Sequence, residues 1–150
     1  MNNVIKGSDL MLFTKSTTGS TYTSLANATN HSLTINAASL ETSSKDSGKW
    51  TTKQTTKLDW SISTDNLYST DTINGYQKLF DIMVSREPLE VAFALKSDIS
   101  SDTAPVGGWL ASTGGYSGKA VITSLTLNAS DGDNATYSCT LEGSGALNKR

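Results

Sequence analysis

The sequence predicts a mainly β protein: a single domain of antiparallel strands over residues 1–150, with one flanking α-helix over about residues 74–87 and a long polar arm over residues 40–57. Three observations carry that prediction. Ser and Thr together make up 43 of the 150 residues and Pro only 2, a balance that favours strands and turns over helices and Pro-rich disorder. Several short runs alternate apolar and polar residues with a period of two, as half-buried strands do. One stretch has the helical period instead.

Residues 10–14 (LMLFT) form an apolar run bounded by Gly7-Ser8-Asp9 and the cluster at 16–20, which reads as a buried strand. Thr17-Thr18-Gly19-Ser20 is a turn signal, and residues 21–25 a short return strand. After the loop at 27–30, residues 32–37 (SLTINA) put Leu33, Ile35 and Ala37 on one face, and residues 58–63 (LDWSIS) do the same with Leu58, Trp60 and Ile62. Between these strands lies LETSSKDSGKWTTKQTTK, with one large apolar residue, Trp50, after Leu40. Loops longer than about 12 residues without structure of their own are uncommon in compact domains and usually functional or disordered. A disordered linker has no need of Trp50. Two readings stand side by side: an arm ordered against another subunit through Leu40, Thr42, Lys45, Asp46, Gly48 and Trp50, or a Trp50 folded back over the domain's own sandwich edge.

From residue 74 the period changes. Tyr76, Leu79, Phe80, Met83 and Val84 make the stripe of an amphipathic helix, opposite Gln77, Lys78, Asp81 and Arg86. Thr70, Asp71, Thr72 or Asn74 is placed to cap it and Pro88 to stop it. Lone among strands, this helix is expected to lay its whole apolar stripe on a sheet as core. Residues 89–96 (LEVAFALK) form a strand whose second face carries the small Ala92 and Ala94, so another element is expected to approach it closely. Residues 97–118, with Pro105, Gly107-Gly108 and Gly114-Gly115, read as a loop or irregular hairpin around Trp109 and Tyr116. Residues 119–128 and 135–142 form an antiparallel pair joined by the turn at 130–134. The first strand of the pair changes phase between Ile122 and Leu125, as a β-bulge would make it do. In the second, Tyr137, Cys139 and Leu141 share a face, and Cys139 reads as a small buried apolar residue.

The chemistry is sparse. The net charge is −2, with Lys and Arg scattered along the chain, which argues against a protein that grips nucleic acid through a basic patch. The lone Cys139 and the lack of a secretory-type leader point to synthesis in a reducing cytoplasm, and the four Asn-X-Ser/Thr sequons read as chance in so Ser/Thr-rich a chain. No apolar run reaches membrane-spanning length, so no membrane partner is expected. His31 is the single histidine and reads as a surface residue, so a triad or His-based metal site would have to be built entirely around it. Asp131-Gly132-Asp133 is turn chemistry, and Gly114-Gly115-Tyr116-Ser117-Gly118 lacks the Lys and the following helix of a phosphate loop. No cofactor, metal or catalytic residue is expected.

Five segments, taken in order, are together specific: KGSDLMLF at 6–13, ATNHSLTINAASLETSSKDS at 28–47, WSISTDNLYS at 60–69, GYQKLFDIMVSREP at 75–88, and the run from Gly118 to Leu147. The chain resembles the major tail proteins of tailed bacteriophages of the TP901-1 type. It departs from that family at Gly48-Lys49-Trp50, where the family motif has Gly-Gly-Trp. The resemblance implies a barrel-forming β-sandwich subunit, hexameric rings whose joined sheets surround a lumen, and stacking into a tube that conducts DNA during ejection without binding it specifically. It also implies a place in the virion tail, with further copies of the chain, tail tip, tape measure and terminator proteins as partners. On that reading the strand faces opposite the core are candidate lumen positions: Ser32, Thr34 and Asn36 on one strand, Asp59, Ser61 and Ser63 on the other. The alternatives are the inner tube of a contractile injection apparatus or gene transfer agent, and a monomeric β-sandwich module binding carbohydrate or an adhesin-like partner.

Overall fold

The structure, a computed structural model, describes residues 4–15, 22–25, 28–69, 75–96 and 109–150. In chain order its elements are β1 (Leu10–Lys15), β2 (Tyr22–Ser24), β3 (Ala28–Glu41), β4 (Lys53–Leu67), α1 (Tyr76–Ser85), β5 (Leu89–Leu95), β6 (Tyr116–Asn128), β7 (Thr136–Gly143) and β8 (Asn148–Lys149). All eight strands belong to one antiparallel sheet of order β2-β1-β5-β6-β7-β4-β3, with β8 paired to the start of β6.

The two layers of this fold are halves of one sheet, and β6 belongs to both. Its first residues pair with β5, where Leu89 faces Ala120; from Ala120, which also faces Gly143, to Asn128 it pairs with β7. A register shift between Ile122 and Ser124 is the bulge that the phase change predicts, and it bends the strand where one half gives way to the other. The sheet then folds over on itself. Phe93 on β5 and His31 on β3 lie four strands apart in the order, roughly 19 Å in a flat sheet at about 4.8 Å per strand, yet their ring centroids are 6.3 Å apart. Between the layers Leu12, Val91 and Phe93 meet Trp60, Ile62, Tyr137, Cys139 and Leu141 in one core.

Trp60 sits at the rim of that core. It is 5% exposed, and its Nε1 donates to the Gly145 carbonyl at 3.1 Å. The indole crosses the backbone of β7 at Gly143 and reaches Gly118 on β6; a Cβ at Gly143 would clash with the ring. A second, smaller core covers the other face of the β1–β5 half. There Phe13, Ala92 and Ala94 are buried under Trp109 and Ala111, the close approach that the small face predicts. Trp109 is tied to Ser24 by two hydrogen bonds, of 2.8 and 2.9 Å, and Lys96 lies 4.1 Å over its ring.

Several expectations change. The irregular polar arm is a β-hairpin: Leu40 and Glu41 belong to β3 and residues 53–57 to β4, leaving residues 42–52 as the connection. The helix is shorter than 74–87 and its stripe is only half covered. Tyr76, Leu79 and Ile82 pack on the core, whereas Phe80 is 49% and Val84 64% exposed, so those two are not core residues. The N-cap is Gly75, without a side-chain bond, and the chain leaves the helix through Arg86 in the left-handed region at φ 62°. The proposed caps at 70–74, the turn at 17–20 and the Pro105 and Gly107-Gly108 loop lie outside the described residues. His31 is not a plain surface residue. Its ring packs edge-on against Phe93 at the seam between the layers, with both nitrogens buried and unpartnered among the described residues.

Two consequences are measurable. Gly143→Ala forces a methyl into the indole of a buried tryptophan, an overpacking that costs about 1–3 kcal/mol and is read as a fall in urea midpoint and melting temperature. Burial holds the His31 imidazole down at about 4, below its ordinary 6.5, against a weaker opposing effect of the Asp65 carboxylate. The unfolded chain therefore takes up this proton below about pH 6.5 and the folded chain only near pH 4. Stability from this group is complete above that window and falls as pH drops through it, by on the order of 3 kcal/mol. Urea titrations from pH 7 to 4 should show the wild type losing that much more than a His31→Gln variant.

Candidate assembly surfaces

The β3–β4 hairpin builds the first surface. Up to Trp60 its inner face is covered by the domain; Ile35, directly opposite Trp60, and Leu58 beyond it, the latter 76% exposed, continue the apolar row with nothing over them among the described residues. They line a groove with Tyr116, Gly145, Ala146 and Leu147. Past a register shift between Ala37 and Ser39 the hairpin carries on to a tip that its own polar groups hold in shape. Thr42 N–H donates to the Thr52 carbonyl at 2.8 Å, Thr52 N–H to Ser43 Oγ at 2.7 Å, and Thr42 Oγ1 to Thr52 Oγ1 at 3.0 Å. Lys45–Ser47 form a short 3-10 turn, and Gly48 takes a φ of 74° that a side chain would resist. Trp50 stands out from this tip, 77% exposed, with Lys49 Nζ 6.0 Å from its ring centre. It does not fold back over the sandwich edge. Leu40, Thr42, Lys45, Asp46 and Gly48 are exposed beside it.

The second surface is the outer face of the half made by β6, β7, β4 and β3. Ser32, Thr34 and Asn36 stand directly opposite Ser63, Ser61 and Asp59, so the six polar positions singled out in the sequence share one face. The rows continue onto β7 through Glu142, Thr140 and Ser138, the last donating to Asp65 Oδ1 at 2.9 Å. Across residues 30–36, 59–67, 121–128 and 136–142 this half contains Asp59, Asp65 and Glu142 and no Lys or Arg. Helix α1 packs on the opposite side, where Tyr76 meets Tyr137 at 5.3 Å.

The third feature is edges. β3 pairs with β4 alone, and β6 from Val121 to Asn128 pairs on one side alone, among the described residues. The four-stranded half therefore ends in an open edge on each side, a hazard for a monomer and a joint for a polymer. β8 went unread in the sequence because two residues hold no period. Burial pushes the Cys139 thiol up to about 12, so it stays protonated. No group of three His, Cys, Asp or Glu that could hold a metal comes together among the described residues.

Comparison with known proteins agrees with this geometry. No curated protein matches the chain by sequence. Solved structures do match by fold. The tail of an empty gene transfer agent particle, of C6 symmetry, superposes with a TM-score of 0.76 at 20% identity, covering 98% of this chain and 99% of that one. The SPP1 tail tube gives 0.74 at 10% identity, over 98% of this chain and 79% of that one. The anti-feeding prophage baseplate gives 0.62 at 8% identity, over 100% and 97%. The model of the family described as phage tail tube protein matches residues 4–149. A mainly β subunit with open edges, an overhanging hairpin and one polar face is thus a structural tail-tube subunit, and the chain belongs to the phage tail tube protein family.

Proposed function

We propose that six copies close into a ring by joining the open edge of β3 in one copy to that of β6 in the next, and that rings stack into a tube that conducts DNA out of a virion. The observation that carries this is the half-sheet open at both edges, with a polar face on which residues 30–36, 59–67, 121–128 and 136–142 bring no Lys or Arg. Copies joined edge to edge leave no strand unpaired, as in a barrel. The face with Ser32, Thr34, Asn36, Asp59, Ser61 and Ser63 then lines the lumen and α1 lies outside. A lumen wall without Lys or Arg suits passing DNA, because each basic residue pairing with a phosphate would hold the moving strand through counterion release. The C6 symmetry of the gene transfer agent tail supports six copies.

Within the family we read the chain as a major tail protein of the TP901-1 type, on the order and spacing of its matching segments. Its partners are then copies of itself and the tail tip, tape measure and terminator proteins, with no membrane and no specific contact to DNA. A second reading keeps the tube and changes the particle, favoured by the likeness to a gene transfer agent tail and to the anti-feeding prophage baseplate.

Purified protein should form rings or tubes as its concentration rises, seen by negative-stain microscopy and light scattering. A pure monomer at every concentration, even with a tail-tip nucleus added, overturns the proposal. Trp50→Ala should weaken that assembly by about 2 kcal/mol or more and leave monomer melting unchanged, since the ring touches little of its own domain. Asp59→Arg combined with Ser61→Arg should still assemble but slow or block DNA release. Release at the wild-type rate in both low and high salt would place these strands away from the lumen.

A further inference from the structure

Helix α1 lies on β6, and β6 from Val121 to Asn128 is an edge among the described residues. A helix with its side chains is about 10 Å across and strands lie about 4.8 Å apart, so a helix seated on one strand covers roughly one more on either side. On the inner side of β6 that strand is β7, where Tyr76 meets Tyr137 at 5.3 Å. On the outer side the helix overhangs an open edge. The uncovered apolar groups here are Phe80, Val84 and Leu127. Leu127 belongs to the core side, since it stands directly opposite the buried Tyr137. Phe80 and Val84 follow Tyr76 at four-residue steps and so share one flank of the helix. The far edge of the same half-sheet shows the matching gap. On β3 the core-side row runs through Leu33, opposite Ile62 and half-buried, to Ile35, opposite Trp60 and 56% exposed.

We propose that α1 is a lateral clamp within the ring: Phe80 and Val84 of one copy reach across the joint between β6 and the neighbour's β3 and cover Leu33 and Ile35 of that neighbour. The contact rests on the ring reading above. Three antiparallel pairings separate β6 from β3 in the half-sheet, so copies related by rotation about the tube axis bring these two edges together antiparallel. Because side chains alternate, the joined sheet keeps one apolar side only in a register that sets the Ile122, Leu125 and Leu127 row beside the Leu33 and Ile35 row. Both uncovered patches then lie on the same side of the sheet, about one strand spacing apart, and each covers the other. The clamp also selects which edges join. Backbone pairing alone would let any edge meet any other. An antiparallel joint of two β6 edges would hold two α1 helices about one strand spacing apart, where packed helices need 8–10 Å, and a joint of two β3 edges would leave both copies of Ile35 bare. Unlike edges are favoured, as closure of a rotational ring requires.

The test is a double-mutant cycle on the concentration at which rings form, read by light scattering and negative-stain microscopy. It compares wild type, Phe80→Ser with Val84→Ser, Ile35→Ser, and all three changes together. These side chains are exposed, so circular dichroism and monomer melting should change little. The helix pair and the strand variant should each raise the ring-forming concentration by about tenfold or more, the loss of apolar burial at one contact. The combined variant should be no worse than the poorer of the two, because removing either side empties the same contact. Rings from the helix pair at the wild-type concentration, or effects that multiply in the combined variant, overturn the clamp while leaving the edge-joined ring in place. Val84→Cys combined with Ile35→Cys gives a second readout. A short bismaleimide should link assembled copies into a covalent ladder, and either cysteine alone should give none, since Cys139 is buried. Rings of the two-cysteine protein that yield no ladder also overturn the clamp. Wild-type protein that forms neither rings nor tubes overturns both the clamp and the ring reading.

Discussion

The Trp60 indole is the contact on which the rest of the structure depends. Lying over Gly143 and reaching Gly118, it fills space that only glycines at those positions leave open, and its Nε1 bond to Gly145 fastens the segment after β7 to β4. Three strands and the C-terminal segment are thereby held together by one side chain. It also marks a boundary. On the domain side of it Ile62, Thr64 and Asn66 are buried by the chain itself; directly opposite it Ile35, and past it Leu58, continue the same inner row uncovered. The hairpin changes at that point from part of a core to an uncovered surface.

A two-stranded hairpin without support is marginal in water, and the outer part of β3 and β4 has no layer over it among the described residues. What stabilises it locally is a continuous ladder as far as Glu41 and Lys53, followed by a tip in which Thr42, Ser43 and Thr52 bond one another. The polar composition that makes this arm unable to bury itself also guards a long exposed edge against indiscriminate pairing. Lysine is prominent there, as at strand edges protected from indiscriminate pairing.

The two sides of the half-sheet divide the work. One carries hydroxyls, amides and a few carboxylates; the other carries the core and α1. Because side chains alternate along every strand, this division needs only that β3, β4, β6 and β7 keep register, and the bulge in β6 is placed where register must be re-phased. Phe80 and Val84 remain open on the helix because the single domain reaches only the Tyr76 and Leu79 side of the stripe, together with Ile82 beside it.

How much of this was legible depended on whether the signal was local. The strands at 10–14, 89–96 and 135–142, the bulge near Ile122, the helical period and the buried Cys139 could be read directly, since apolar alternation records which face is covered. The hairpin beyond Leu40 could not be read as strand, because with both faces wet it has no alternation to show; its ladder is written in hydrogen bonds that every residue type can make. The half-covered stripe of α1 looked like a complete core face for the complementary reason: period records apolarity and says nothing of whether a partner is present. His31 and Trp60 were decided by tertiary structure alone. The histidine is buried because the folded sheet brings β3 onto β5, and the indole finds its place because residues 83 and 85 positions along the chain, Gly143 and Gly145, meet it in space. The sequence by itself determined a β protein with one helix and a polar arm; which surfaces were left uncovered was settled only when distant segments met, because exposure is a property of the packed chain and not of any stretch within it.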